Sequence, residues 1–337
     1  MGSRYRLGAR ALTACVSAFG LLIAYGPAAG AATAPVVRQA GATQQARSQD
    51  SARQLATARA GLKHLLASWH DTAELVGGRG ALGPAGTIKA QNTPTAILSS
   101  NWSGYGDVGT DFTGVGATWI EPTVTCPSQV STLAAFWVGI DGLDNASVEQ
   151  DGTFVECDNG TPSYFMWWEM YPTNDIQIDG TVNPGDSITA SVTRAGSSYF
   201  LDVTDNTSDQ GFGTSQTCEA NTTEETCLDS SAEWIAEAPA ESSGIQPLAD
   251  FQSWGLTSAT VDSSVAAAGV ISSFADYAIT MIDSDGVLEA EPSALDSDGN
   301  AFDVAFRPTQ RPLVPREQEV GGHPSGAPYP SRMPPAR

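Results

Sequence analysis

The chain has 337 residues, with 16 basic and 38 acidic side chains and a formal net charge of −22 at neutral pH. The acids concentrate in residues 96–306, which hold 33 of them and a single basic residue, Arg194. A surface this acidic repels nucleic acids and anionic membranes, so the composition excludes both as partners. All three histidines lie outside 96–306, which excludes an imidazole-activated nucleophile there and speaks against a zinc site.

The N-terminal residues have the pattern of a secretory signal peptide. Three arginines at positions 4, 6 and 10 precede an apolar run over 11–25, and small residues follow it. This pattern predicts a signal peptide over 1–31 and a secreted, extracellular protein. The remainder of the sequence has no apolar run long enough to span a bilayer.

Residues 32–95 are basic and rich in Ala, Gln, Arg and Thr, and the stretch SARQLATARAGLKHLLASW has helical spacing of its apolar residues. We interpret this segment as a partly helical or disordered propeptide. A basic segment can cover an acidic domain until low pH discharges the carboxylates. The alternative is a disordered linker.

Residues 96–306 consist of short runs with β character, separated by clusters of Gly, Pro, Asn and Asp. Many antiparallel strands in one segment predict an all-β fold, a large β-sandwich of two antiparallel sheets. The runs are GATWIEPTVT, LAAFWVGIDG, GTFVECD, SYFMWWEMYP, SITASVT, SYFLDVTDN, AEWIAEA, LTSATVDSS and DYAITMIDSDG.

Side chains alternate between the two faces of a strand, and this alternation places acids beside aromatic rings. In three of the runs one face carries both kinds of residue, which predicts a cleft lined by carboxyl and aromatic groups. Such a cleft fits a catalytic groove or a sugar-binding platform. The sets are Glu233, Ile235 and Glu237; Phe165, Trp167, Glu169 and Tyr171; and Trp137, Gly139 and Asp141.

Four cysteines remain once the signal peptide is removed: Cys126, Cys157, Cys218 and Cys227. An even number in an exported protein predicts two disulfides, and four cysteines allow three pairings. We favour Cys126–Cys157 and Cys218–Cys227, because the second pair closes the short loop CEANTTEETC. No CxxC spacing occurs, so we expect no metal site.

The C-terminal residues 307–337 contain eight prolines and are predicted to form a disordered tail. The expected organisation is therefore a signal peptide (1–31), a basic propeptide (32–95), a β-sandwich domain (96–306) and a Pro-rich tail (307–337).

Five motifs in 96–306 resemble those of the glutamic peptidases, or eqolisins, and they occur in the same order: SSNWSGYG, FWVGIDG, EQDGTF, WWEMYP and SAEWIAE. The likeness extends over about 96–290. It implies a β-sandwich secreted as a proenzyme, with acid endopeptidase activity and a Gln/Glu catalytic pair.

By position in these motifs, the resemblance assigns the catalytic roles to Gln150 and Glu233. Glu237 is the rival acid in the same motif, and we rank it lower because the family's essential acid directly precedes a tryptophan. Glu149 and Asp151 flank Gln150, whereas fungal members have uncharged neighbours there. This departure bears on the working pH.

The expected chemistry needs one carboxyl and one amide. An ionised Glu233 takes a proton from water and returns it to the departing amine, and Gln150 donates to the developing oxyanion. Trp102 and Trp137 are expected to shape the cleft, and Asp141 and Glu169 to orient the water or the pair. Desolvation by Trp and Ile would raise the pKa of Glu233, hydrogen bonds would lower it, and the sequence does not decide between them.

The hypothesis is a monomeric, secreted, acid-active endopeptidase that acts on proteins or peptides without a cofactor or metal. Two alternatives use the same residues. One is a carbohydrate-binding β-sandwich without catalysis, and the other is a glycosidase with paired acids such as Glu233 and Glu169.

Overall fold

The structure is a computed structural model of the full chain. It describes residues 53, 72–76, 94–172, 177–218, 220, 223, 225–241, 243–264 and 266–308. The predicted signal peptide, most of the predicted propeptide and all but the first two residues of the predicted tail lie outside the described residues.

The described chain is almost entirely β-structure, as the sequence predicts, with one 3₁₀ turn at Ile271–Ser273. No helix among the described residues is long and apolar enough to cross a membrane. The strands are β1 Thr95–Ser99, β2 Trp102–Val108, β3 Phe112–Ile120, β4 Thr132–Ile140, β5 Val148–Asp158, β6 Thr161–Tyr171, β7 Gln177–Thr181, β8 Ser187–Ala195, β9 Ser198–Asp205, β10 Gln210–Thr217, β11 Ser231–Glu237, β12 Ala240–Glu241, β13 Gly244–Ile245, β14 Ser253–Ser263, β15 Ala266–Gly269, β16 Ala275–Ile282, β17 Leu288–Pro292 and β18 Phe302–Phe306.

The two layers of the sandwich are parts of one continuous hydrogen-bonded sheet. Its order is β10-β9-β8-β3-β14-β18-β17-β16-β2-β11-β4-β5-β6-β7, with β1 added on β16 and β15 on β14. Pairing is antiparallel except between β1 and β16. The sheet folds over so that β4 and β5 lie against β8. The layer containing β2, β11, β4, β5 and β6 carries all the sequence-predicted site residues.

That layer has an apolar cluster on each face, since alternate residues of a strand point to opposite sides. One cluster fills the space between the layers and includes Val138 and Trp234; we call it the interlayer core. The other lies on the opposite face, which we call the site face. The site-face cluster comprises Ile97, Trp102, Val108, Ala135, Trp137, Leu143, Val148, Phe154, Phe165, Trp167, Ile178, Ile235, Tyr277 and Ile279.

All nine predicted runs contribute to strands, but the prediction places the start of β5 too late. The sequence indicates a strand from Gly152, whereas β5 begins at Val148. Gln150 therefore lies inside a strand, between two other strands of the sheet. The sequence does not show the start of this strand, because Glu149, Gln150 and Asp151 are all polar and break the alternation of apolar and polar residues. Both faces of the strand are nevertheless buried here.

The two predicted disulfides are confirmed. Cys126 pairs with Cys157 at a Cα–Cα distance of 5.3 Å, and Cys218 pairs with Cys227 at 6.1 Å. The first bond ties the segment after β3 to the end of β5, and the second closes the loop before β11.

Candidate active site

The two predicted catalytic residues lie in one row across adjacent strands. Glu233 on β11 pairs with Gly139 on β4, and Gly139 pairs with Gln150 on β5. Gln150 pairs in turn with Glu169 on β6. Directly opposed residues of antiparallel strands point to the same face, so all three polar side chains project from the site face. With strands about 4.8 Å apart, the Cα atoms of Glu233 and Gln150 are about 10 Å apart.

Gly139 keeps the gap between the two side chains free of a competing Cβ atom. A Cβ there would lie 2.9 Å from the ring of Trp137 and 3.2 Å from Cβ of Gln150. The edge of the Trp137 ring packs against this glycine. It forms the floor between the Glu233 carboxyl group and the Gln150 amide. On the other side of Glu233, Gly106 is equally bare, and Leu143 covers it.

The amide of Gln150 is held by a carboxylate. Its Nε2 donates to Oε2 of Glu169 at 3.2 Å, and both residues are buried. An amide nitrogen carries two N–H groups, so it can hold Glu169 and serve a second acceptor at the same time. The bond restrains the plane of the Gln150 amide.

Glu233 is fully buried, and desolvation decides its protonation. Burial raises its pKa well above the ordinary value, the nearby hydroxyl of Ser231 opposes this, and the charges of Asp141 and Asp144 add to it. Neither carboxyl oxygen has a direct hydrogen bond among the described residues. Burial therefore favours the neutral form of this carboxyl group.

Glu237 lies on the same face of β11 but in a different environment. Its Oε2 accepts from Trp137 Nε1 at 2.8 Å, and its Oε1 accepts from Asn101 Nδ2 at 3.4 Å. The carboxyl group of Glu237 therefore holds the Trp137 ring and the Asn101 amide in place. Glu237 thus has a structural task that Glu233 lacks, which supports ranking Glu233 first.

Trp102 and Trp137 meet edge to face, with ring centroids 4.8 Å apart. Both are fully buried in the site-face cluster. The T-shaped contact is a favoured aromatic geometry, and Glu237 fixes one of its two members. These rings form an apolar floor beside Glu233, Gly139 and Gln150. We call these three residues the catalytic row, because the row includes the two predicted catalytic residues.

Asp141 lies at the end of β4 and binds the loops around it. Its carboxylate accepts from Asn145 at 2.6 Å, from the Ser230 and Asp229 backbone amides at 2.8 and 2.9 Å, and from Ser147 at 3.4 Å. Burial raises its pKa despite these bonds. Its negative charge also contributes to the raised pKa of Glu233.

Sequence reasoning did not find the roles of Gly106 or Asn101, and it noted Gly139 only as a member of a face. A glycine has no chemistry of its own, and its value here is the space between two partners that are distant in sequence. Asn101 stands in the motif SSNWSGYG, in which sequence reasoning assigned a role only to Trp102.

Comparison with known proteins identifies the family of the chain. The sequence profile of the peptidase A4 family matches residues 100–298. Aspergillopepsin-2 of Aspergillus niger is 27% identical over 226 residues, which cover 61% of this chain and 78% of that protein. Scytalidopepsin B of Scytalidium lignicola is 37% identical over 111 residues, or 32% of this chain and 41% of that protein.

Solved structures give the same result for the fold. Scytalido-glutamic peptidase in complex with a transition state analog inhibitor superposes with a TM-score of 0.52 at 25% identity, over 62% of this chain and 98% of the other. The match covers almost the whole of that peptidase, and the family profile covers more than half of the present chain. The chain therefore belongs to the peptidase A4 family and is a glutamic-type endopeptidase.

Proposed function

We propose that the protein is a secreted, acid-active endopeptidase in which Glu233 and Gln150 hydrolyse the peptide bond together. The observation that carries the proposal is the row in which these two residues flank Gly139 on one face of the sheet. The likeness to a solved glutamic peptidase with a transition state analog inhibitor supports a peptide substrate. The exported location rests on the N-terminal signal pattern and agrees with the two disulfides.

In the proposed reaction, Glu233 acts first as a base and then as an acid. A substrate peptide lies across the site face with its scissile carbonyl above Gly139. The carboxylate of Glu233 removes a proton from a water molecule, which attacks the carbonyl carbon, and the Gln150 N–H group donates to the oxygen as it becomes negative. The protonated Glu233 then gives its proton to the departing nitrogen. This chemistry calls for no metal or cofactor.

Ionisation of Glu233 requires that the site open. Desolvation is the main cause of its raised pKa, so entry of water returns the pKa toward the ordinary value of about 4.3. The acidic limb of activity then reports ionisation of Glu233 in the open site. The neutral limb has a separate cause in the buried acids of the interlayer core, which destabilise the fold as they ionise.

The direct test is a pair of substitutions assayed on denatured protein at about pH 4, close to the ordinary pKa of a carboxyl group. Glu233→Gln and Gln150→Ala should each abolish cleavage while the thermal unfolding transition persists. Gln210→Ala, at an exposed glutamine of β10, is the matched control and should retain full activity. Retention of activity in either site variant would refute the pair.

The sugar-binding and glycosidase hypotheses have no observation in their favour, given the family. They make opposite predictions in the same experiment, since Gln150 would be dispensable to a glycosidase that uses Glu233 and Glu169.

A further inference from the structure

A short segment of the predicted propeptide is hydrogen-bonded through a single β-bridge to the sheet beside β2. Residues Thr72–Val76, which we call the strap, run antiparallel to the end of β1. Ser100 N donates to the Glu74 carbonyl at 2.9 Å, and Val76 N donates to the Leu98 carbonyl at 2.9 Å. The pairing is one β-bridge, the shortest form of β-strand addition, in which backbone hydrogen bonds hold an extended peptide and pockets select its side chains.

Asn101 holds the same strap by both ends of its side-chain amide. Its Oδ1 accepts from Glu74 N at 2.8 Å, and its Nδ2 donates to the Thr72 carbonyl at 3.1 Å. Ala73 N donates to the Gly142 carbonyl at 3.1 Å. These bonds are to the backbone of the strap and could be made to another extended chain, whereas Ser100 Oγ also donates to the side chain of Glu74 at 3.2 Å.

The side chains of the strap alternate as in a docked peptide. Ala73 and Leu75 pack against the site-face cluster, whereas Glu74 and Val76 are exposed. The surface beneath accepts a small residue and an aliphatic residue two positions apart. Selectivity at this surface is therefore for apolar side chains at alternate positions.

A hydrogen-bond chain connects the strap to the catalytic row. Asn101, which holds the strap, donates to Glu237, and Glu237 accepts from Trp137. The ring of Trp137 leans over Gly139, between Glu233 and Gln150. The bound strap and the floor of the site therefore share one set of fixed side chains.

The catalytic pair is closed to solvent in the full chain, since Glu233 and Gln150 are both 0% exposed. A substrate cannot reach them until chain that covers the site face moves away. The strap is the described part of the predicted propeptide that packs on this face.

We propose that the edge formed by residues 98–101 and the Gly142 carbonyl is a peptide-binding subsite of the enzyme, and that the strap fills it as an intramolecular competitor of substrate. After the strap leaves, the subsite takes an extended peptide with small or aliphatic side chains at alternate positions. This inference rests on the proposed function, because it assigns a substrate subsite to that same active site.

The test uses the full chain with Glu233→Gln, so that self-cleavage does not complicate it. Leu75→Asp places a charge against the site-face cluster, and Val76→Asp places the same charge at the next, solvent-facing position. Amide hydrogen exchange is followed at Ser100, whose N–H group donates to the Glu74 carbonyl and whose residue is the same in both variants. We expect exchange at least ten times faster in Leu75→Asp and no change in Val76→Asp.

A synthetic peptide with the sequence of residues 70–78 serves as the probe. It should restore protection of Ser100 in the Leu75→Asp chain, and the same peptide with Asp in place of Leu75 should not. In the chain with Glu233 intact, Leu75→Asp should shorten the delay before acid proteolysis begins, and the wild-type peptide should inhibit that proteolysis.

Equal exchange in the two Asp variants, or failure of the peptide to protect Ser100, would overturn the subsite. These exchange measurements do not depend on turnover. If they succeed while the wild-type chain cleaves nothing in acid, the proposed function fails and the subsite is one for peptide binding alone.

Discussion

The two faces of β5 carry buried polar residues with different partners. Gln150 points to the site face and meets Glu169 there. Glu149 and Asp151 point into the interlayer core, where burial raises the pKa of both well above the ordinary value. All of these residues except Glu169, at 2%, are 0% exposed, so burial alone does not distinguish a site residue from a core residue.

The difference between the faces lies in whether the burial can be reversed. The interlayer core is covered by the second layer of the sandwich, and its acids regain water only when the fold opens. The site face is covered in part by the strap, which in the proposed activation leaves while the fold persists. An acid on the site face can therefore work in catalysis, whereas an acid in the core can act only on stability.

The charge of Arg194 only partly offsets the burial of a neighbouring acid, Asp229. Arg194 pairs with Asp111 and Asp229, at 3.0 Å to each. Asp229 also accepts from Tyr199 at 2.6 Å, and its pKa is still raised to about 6, chiefly by burial. Burial of a carboxyl group without a cationic partner costs much less free energy when the group is neutral than when it is ionised.

The largest expected effect separates the two faces by activity. Glu233→Gln should lower kcat by about 10²–10⁴-fold, the usual contribution of a general base. Asp151→Asn changes an acid that is equally buried on the other face and should leave kcat within about threefold, because it removes no transition-state contact. Assays with a fluorogenic peptide on the activated enzyme measure both. Equal losses in the two variants would mean that the faces do not differ in function.

The next effect concerns stability and pH. Burial raises the pKa of Glu121 from 4.5 to about 7 in the fold. A carboxyl group with a raised folded pKa contributes its full stability below the unfolded pKa and loses it as pH rises through the folded value. The free energy of unfolding should therefore fall by about 3 kcal/mol from this group alone between pH 4.5 and 7.

Glu121→Gln should make the free energy of unfolding depend less on pH in the range where Glu121 titrates. Glu149→Gln should reduce the pH dependence in another range. Urea unfolding at several pH values between 4 and 8 measures the change. Glu291→Gln, at an exposed acid paired with Arg307, is the control and should leave the slope unaltered. A wild-type protein that is more stable at pH 7 than at pH 4.5 would contradict the prediction.

A third prediction tests the gap in the catalytic row. Gly139→Ala places a methyl group 2.9 Å from the Trp137 ring, which forces the floor between the pair to move. A displacement of this kind should lower kcat/KM by about 10–100-fold. Gly116→Ala, in β3 of the other layer, meets its nearest atoms at 3.3 Å and should reduce stability slightly while activity is retained. The measurement is kcat/KM of Gly139→Ala and of Gly116→Ala, each relative to the wild type.

The smallest expected effect lies on the core face of β5. Thr153 donates to Glu121 Oε2 at 2.7 Å, and this bond lowers the pKa of that acid. Thr153→Val should cost about 1 kcal/mol near neutral pH, where the bond is to a charge, and less in acid. Kcat should be unchanged. A loss of activity without a loss of stability would mean that the core face also serves the site.

Much of this protein can be predicted from strand periodicity and short motifs. Alternation placed Glu233 with Glu237 and Ile235, and Trp167 with Glu169, on shared faces, and the structure has both pairings of residues on the site face. Loop length favoured the Cys218–Cys227 bond, which forms. These are local properties, since a period of two residues and a short loop need only neighbouring residues to define them.

The register between distant strands was decided by the tertiary structure. β11 inserts between β2 and β4, and this insertion brings position 233 opposite 139 and one strand away from 150. No local pattern encodes that alignment, because it follows from how the whole layer packs on the interlayer core. The same packing buried Glu149 and Asp151 and seated the strap on Asn101. The sequence determined which residues could act, and only the folded sheet decided which of them meet.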